Sequence, residues 1–362
     1  MIIFTSICAN YYHKAATLAQ SVKTHMPDVT FVVCLLEREM FEKAQNSSYF
    51  DRVVLAKEAW NGNFERFIFK HRLVEASTSV KAQFFKFLYQ EYPEETQFVY
   101  LDPDIMVYAD FVELKHLLKQ RPIVLCPHLL QPGNIDMEIS STAHGVYNLG
   151  FLAVNASDEA QRFINWWAER LFLYCYDDIP NGIFTDQRWI DLAPCFFDVE
   201  IFKHRGYDFA TWSLLDAGMY EENGQVFVKG DPLRFIHYSG YGDTLNNCIK
   251  NWLPEGEHPF RKLHAEYSAI HDANNQDGVS KISWSYDYYE SGEKVDDIIR
   301  LKYRKEPDLM YLVANPYNLS NSFFKIQIIF KKWIKLYSKI KAFVHRNGWG
   351  LLIKKIISKI HG

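Results

Sequence analysis

The sequence predicts an α/β fold. Three observations carry that prediction. The chain opens strand, helix, strand over residues 2–36. Short apolar runs then recur between helical segments. One such run, residues 98–107, ends in two carboxylates, Asp102 and Asp104. The 362 residues hold one large domain or two ordinary ones, and 48% hydrophobic content suffices for a core. A formal charge of −4 gives no overall attraction to nucleic acid. Six scattered cysteines form no C-x-x-C pair, which argues against a zinc site or a disulfide framework and for a reducing cytosol. The first residues read as a strand with no basic leader, and no apolar run is long enough to span a bilayer, so a cytoplasmic location is expected.

In order, residues 2–7 form an apolar strand, and 11–26 carry Ala15, Leu18, Ala19 and Val22 at helical spacing until Pro27-Asp28. A second strand spans 30–36, a helix 40–46, a third strand 52–55 and a long helix 74–90. In sheets of this kind ligands sit at the carboxyl ends of strands, which puts Ser6, Asn10 and Tyr11 at a nucleotide site or in a plain loop. After the Asp pair come a helix at 111–119, a strand at 123–126 and a loop at 131–134. A strand at 145–155 is interrupted by Asn148 and Gly150, where glycine marks close approach of a ligand or another backbone. Ser157 caps a helix at 158–174, and Thr185 is the expected cap of another that starts with Asp186, Gln187 and Arg188. Residues 234–241 read as a strand ending in His237 and a Ser-Gly turn. From 246 to 307 the text is mixed and Trp/Tyr-rich, with helices near 260–270 and 294–304.

Asp102 and Asp104 are spaced to share one side of an extended segment, and Pro103 has no N–H to continue a ladder. Two adjacent carboxylates suit a hard divalent cation that also holds phosphate oxygens, although Asp-Pro-Asp is equally the composition of an acidic turn.

The ordered set Leu101-Asp102-Pro103-Asp104-Ile105, Asn148-Leu149-Gly150-Phe151, Asp186-Gln187 and His237-Tyr238-Ser239-Gly240 resembles the GT-A glycosyltransferases of family 8 and their bacterial relatives over residues 1–245. The resemblance implies a Rossmann-like, mixed central sheet with flanking helices over residues 1–245; beyond it, 246–316 reads as a helical appendage packed on that domain and 317–362 as a basic amphipathic C-terminal helical extension. It implies a metal-dependent transferase using a nucleotide-diphosphate sugar, UDP-linked, with Asp102, Asp104 and His237 holding Mn2+ or Mg2+. Thr5, Ser6, Asn10 and Tyr11 look like the base and ribose segment. Lys81, Gly150 and Gly240 look like donor contacts, and Asn148, Asp186 and Gln187 like the reactive side. Two departures stand out. The usual Lys-Pro-Trp is replaced by Tyr241-Gly242-Asp243, leaving Lys81, Arg188, Lys250 or an acceptor to supply the clamp, and Arg188 stands where a second acid is common. Retention of anomeric configuration is implied; were the enzyme inverting, Asp186 would be the base. A sugar nucleotidyltransferase and a non-catalytic glycan-binding scaffold are the alternatives.

Residues 321–362 carry no Asp or Glu, many lysines, and apolar residues three and four apart: Ile326, Ile329, Phe330, Trp333, Leu336, Tyr337, Ile340, Phe343 and Val344. Asn347-Gly348 is expected to break this helix before a second stripe formed by Trp349, Leu352, Ile353, Ile356 and Ile360. A basic amphipathic helix predicts association with an anionic membrane, here the inner face of the plasma membrane, where glycan precursors are lipid-linked; a helix packed on its own domain is the alternative. Its apolar stripe makes nucleic acid the poorer partner.

Overall fold

The computed structural model describes residues 1–276 and 278–360. Its elements are β1 (Ile2–Ile7), α1 (Tyr12–His25), β2 (Thr30–Leu35), α2 (Glu42–Gln45), β3 (Arg52–Leu55), α3 (Phe64–Phe69), α4 (Leu73–Ser79) and α5 (Lys81–Glu91). There follow β4 (Gln97–Leu101), β5 (Ile105–Val107), α6 (Val112–Leu117), β6 (Ile123–Leu125), α7 (Ile135–His144), β7 (Phe151–Asn155) and α8 (Asp158–Tyr174). Seven strands form the central sheet in the order Val199–Ile201, β6, β7, β4, β1, β2, β3. Only β7 runs against its neighbours, so the sheet is mixed, as expected. A smaller sheet joins Phe209–Ala210, Phe235–His237 and β5.

Strand alternation sorts the core into two layers. Phe4 and Tyr100 face α5 and α8 with Phe84, Phe85 and Trp167, while Ile3, Ile7 and Val99 face α1 with Ala15, Leu18 and Val22. The helix expected over 74–90 is two helices, α4 and α5. The joint falls at Val80, after three hydroxyls, of Ser77, Thr78 and Ser79, that donate to carbonyls of the preceding turn. The strand expected from 145 starts only at Phe151, and the expected loop beyond Gln131 continues into α7. Thr185 caps no helix. It sits at φ +44, and a short 3-10 turn, Arg188–Leu192, follows.

The sheet domain does not stop at residue 245, which falls inside the helix Asp243–Trp252. Trp284, Tyr286, Tyr303, Tyr317 and Phe324 are buried in the same core as Phe67, Phe69 and Ala76. Trp284 Nε1 donates to Leu36 O at 2.8 Å, and Arg300 donates to Phe69 O and Tyr286 O. Tyr317 and Phe324, at 1% exposure, place the start of the basic segment inside that core.

Asn321–Ile360 is a single helix, with no break at Asn347-Gly348. A glycine within a helix costs only about 1 kcal/mol and removes no hydrogen bond, so the helix continues through it. Phe323 and Ile328 touch the core, Lys325, Lys331 and Lys335 pair with Asp296, Asp308 and Glu306, and Ile326, Ile329, Phe330, Trp333 and Tyr337 are exposed. Side chains at 347–349 and 351–360, including Trp349, Leu352, Ile353, Ile356 and Ile360, lie outside the described set.

His71 is fully buried beside Lys70 and Arg304. Burial first, then those cations, push its pKa well below 6.5. The unfolded chain takes up this proton near pH 6.5 while the folded one does so only at lower pH, so stability present above pH 6.5 is lost below it. As pH falls from about 6.5 to about 5, urea unfolding should show wild type losing more stability than His71→Phe. Equal losses in both proteins would refute the assignment.

Candidate active site

The carboxylate pair is built by a turn and two pairings. Ile105 N donates to Asp102 O at 3.2 Å, closing a β-turn with Pro103 in its second position, so Asp102 and Asp104 converge through a turn rather than along an extended strand. Asp102 N donates to Gly150 O at 2.8 Å, tying the end of β4 to the turn before β7. On the far side, β5 pairs antiparallel with Phe235–His237, placing His237 opposite Ile105, and Tyr238 N donates to Asp104 O at 2.8 Å. The result is one ligand atom each from Asp102, Asp104 and His237, all within 4.8 Å of one another.

Lys81 opens α5 with its side chain 2% exposed. Its Nζ lies 2.9 Å from Asp186 Oδ2, 3.4 Å from Asp102 Oδ1 and 4.1 Å from the centre of the Tyr100 ring, and it donates to Leu149 O at 2.8 Å. Burial opposes its charge, but Asp102 and Asp186 outweigh burial and hold its pKa above normal. Tyr100 OH donates to Asp102 Oδ1 at 2.6 Å and meets Ser6 Oγ at 3.2 Å, which further fixes Asp102.

His237 Nε2 stands 3.2 Å from Asp104 Oδ1 and 3.9 Å from Asp102 Oδ2. Its Nδ1 is 3.1 Å from Asn148 Nδ2 and 3.5 Å from Asp208 Oδ1. With a divalent ion bound, a proton kept on Nδ1 toward Asp208 would leave the Nε2 lone pair for the metal, the arrangement a metal-binding histidine needs. Burial disfavours the charged imidazole, yet Asp104 and Asp208 raise its pKa to about 10. Asp104 is pushed up by burial and more strongly down by His237 and Lys14, and ends below the usual carboxylate range. Asp208, pushed up to about 6 by burial against the pull of His237, has no motif to announce it. It sits in the left-handed region at φ +52, just before the strand that pairs with His237. With the imidazole neutral, as a bound cation would require, Asp102, Asp104, Asp186 and Asp208 face Lys14 and Lys81 alone among the described residues, so the donor set carries the excess negative charge that a divalent cation balances.

The pair lies between two cavities. One, of about 440 Å3, is lined by Asn148, Gln187, His237, His128, Trp212 and residues of α7. The other, of about 200 Å3, is lined by Ser6, Asn10, Tyr11, Thr78 and Tyr100. Asp102 and Asp104 border both. Thr5, Lys81, Asp186, Gly150 and Gly240 border neither. Thr5 is fully buried on the face of β1 that carries Ile3 and Ile7. Gln187 is held at both ends, accepting from Leu149 N at 3.0 Å and donating to His144 O at 3.1 Å. Gly240, at φ +71, turns the chain into the helix Asp243–Trp252. The demand for glycine at 150 comes from His237: a Cβ there would lie 2.7 Å from Nδ1, in contact with Cε1, and 2.9 Å from Asn148 Oδ1. Lys14, His128, Trp212 and Asp208 are site residues that no sequence motif had marked.

Residues 2–164, somewhat under half the chain, match the family model described as glycosyl transferase family 8. The chain resembles that family, and the match supports a glycosyltransferase. Two Bacillus subtilis (strain 168) proteins of unassigned function are similar. YfnF is 26% identical over 182 residues, 48% of this chain, and YfnD 19% identical over 250 residues, 66% of this chain and 76% of YfnD. The chain spans 58% of the length of YfnF. Among solved structures, the galactosyltransferase LgtC with donor and acceptor sugar analogs aligns at TM-score 0.47 and 14% identity over 75% of this chain and 96% of LgtC. GlyE of Streptococcus pneumoniae TIGR4 aligns at TM-score 0.45 and 14% identity over 80% of this chain and 66% of GlyE.

Gly150→Ala should displace His237 while leaving the sheet intact. Calorimetric titration with Mn2+ should show affinity lowered about tenfold or more with the circular dichroism spectrum preserved. Unchanged Mn2+ affinity would refute the packing argument.

Proposed function

We propose that the protein is a metal-dependent glycosyltransferase that moves a sugar from a nucleotide-diphosphate donor, UDP-linked, to a cell-surface glycan or lipid-linked acceptor with retention of configuration. The observation that supports this reading most is the convergence of Asp102, Asp104 and His237 at the mouth of β4, between a cavity beside Ser6, Asn10 and Tyr11 and a larger one beside Asn148 and Gln187. Nucleoside on one side, diphosphate at the carboxylates and sugar on the other is the order that this geometry accommodates.

Asp102, Asp104 and His237 would hold Mn2+ or Mg2+; when bound, such an ion supplies Lewis-acid stabilisation of the leaving diphosphate. The chain's own groups do the rest. Tyr100 and Lys81 hold Asp102 in place, and Asp208 aims His237. Asp186, buried and ion-paired to Lys81, is ill placed to take a proton from an acceptor, which favours retention over a mechanism with Asp186 as base. Asp104→Ala should lower sugar transfer and donor hydrolysis by about a hundredfold or more without unfolding the protein. Full activity of that variant in metal-free buffer would end this reading.

The exposed apolar residues Ile326, Ile329, Phe330, Trp333 and Tyr337 support peripheral membrane association, with that face of the helix toward lipid. No helix among the described residues is long and apolar enough to cross a membrane. Because Lys325, Lys331 and Lys335 already pair with Asp296, Asp308 and Glu306, the apolar stripe, more than those lysines, would carry the attachment. Removing residues from 317 onward would strip Tyr317 and Phe324 from the core, so the clean test is Phe330→Glu with Trp333→Glu. That double variant should lose sedimentation with vesicles containing anionic lipid; sedimentation equal to wild type would refute the attachment.

A further inference from the structure

The site lacks the lysine expected after Gly240, and three cations offered by the sequence do not fill its place. Lys81 is consumed by Asp102, Asp186 and Leu149 O. Arg188 is ion-paired with Asp191, and Lys250 is exposed on the helix Asp243–Trp252. Lys14, on α1, is different. Its side chain is 16% exposed, its Nζ is 3.8 Å from Asp104 Oδ2, beyond hydrogen-bond length, and 4.4 Å from the centre of the Tyr11 ring. Tyr11 and Asp104 both line the cavity beside Ser6 and Asn10. The ammonium thus stands beside two residues that line the nucleoside-side cavity, within 4.4 Å of each, and among the described residues it makes no hydrogen bond to a carboxylate.

Resting on the reading of the site as a nucleotide-sugar site, we propose that Lys14 binds the donor diphosphate and takes the place of the missing clamp lysine. A lysine is a compact point charge well suited to phosphate oxygens. Once Asp104 gives its charge to a divalent ion, the diphosphate is the anion left for Lys14. The role makes a definite demand: Lys14 should matter for the second phosphate and not for the metal, since a cation beside Asp104 opposes metal binding when no phosphate is present.

The experiment is calorimetric titration of the full chain, wild type and Lys14→Met, with MnCl2 alone, then with UDP and UMP at saturating Mn2+. Lys14→Met should bind Mn2+ as tightly as wild type or more so, lose about tenfold to a hundredfold in UDP affinity, and lose less for UMP. Lys14→Arg should recover most of the UDP affinity. Unchanged UDP affinity in Lys14→Met overturns the inference, as does an equal weakening of Mn2+, UMP and UDP, which would mark a structural role. A wild type that binds Mn2+ but no UDP overturns the reading of the site and this inference with it.

Discussion

A lysine side chain with 2% exposure cannot keep its charge unless carboxylates come to it, and the site is arranged around that requirement. Lys81 draws Asp102 from the end of β4 and Asp186 from beyond α8, and its remaining donor capacity goes to Leu149 O. Three chain segments are thereby fixed to the start of one helix. The ion pairs leave Asp102 partly neutralised on its Lys81 side and its other oxygen toward His237. A charge that would be costly alone becomes the post to which the ligand cage is tied.

Around that post, register does the fine positioning. The pairing of His237 with Ile105 and the bond from Tyr238 N to Asp104 O bring an imidazole from far along the chain to within 3.2 Å of Asp104. A slip of one residue would turn the ring to the other face of the small sheet. Behind the ring, Gly150 leaves the space and Asp208 fixes the orientation. Two non-glycine residues in the left-handed region, Thr185 and Asp208, flank this assembly, and each sets a carboxylate in the site, Asp186 beside the first and Asp208 itself. Backbone strain of this kind persists where surrounding packing dictates it.

Much of this was legible in the sequence because it is local. The β1–α1–β2 opening, the strand ending at Asp102 and the capped α8 follow from periodicity and caps within a few residues. The four motifs named Asp102, Asp104, His237, Asn148 and Gly150, which the fold brings together. What was not legible is non-local. Lys14 and Asp208 carry no motif, and their importance exists only after α1 and the Phe209–Ala210 strand have been packed against the site. The partners of Lys81 and Gly150 are equally non-local: buried carboxylates surround the one, and an imidazole packs on the other. Residues 73–91, which the apolar spacing predicts as one helix, form two, while Asn347-Gly348 splits none, because a glycine keeps its backbone donor and acceptor in the helical ladder.

The core shared by residues 2–164 and by Trp284, Tyr303, Tyr317 and Phe324 bears on how this chain can be recombined. The segment that matches the family model is not a separable module, because its α3 and α4 complete their packing only against aromatic residues more than a hundred positions beyond it. A chimaera joined after residue 164 or at 245 would expose that aromatic seam on both fragments. The smallest unit that can be exchanged with its interior intact runs through Phe324, so the last segment of the sheet domain and the first turn of the C-terminal helix must be inherited together.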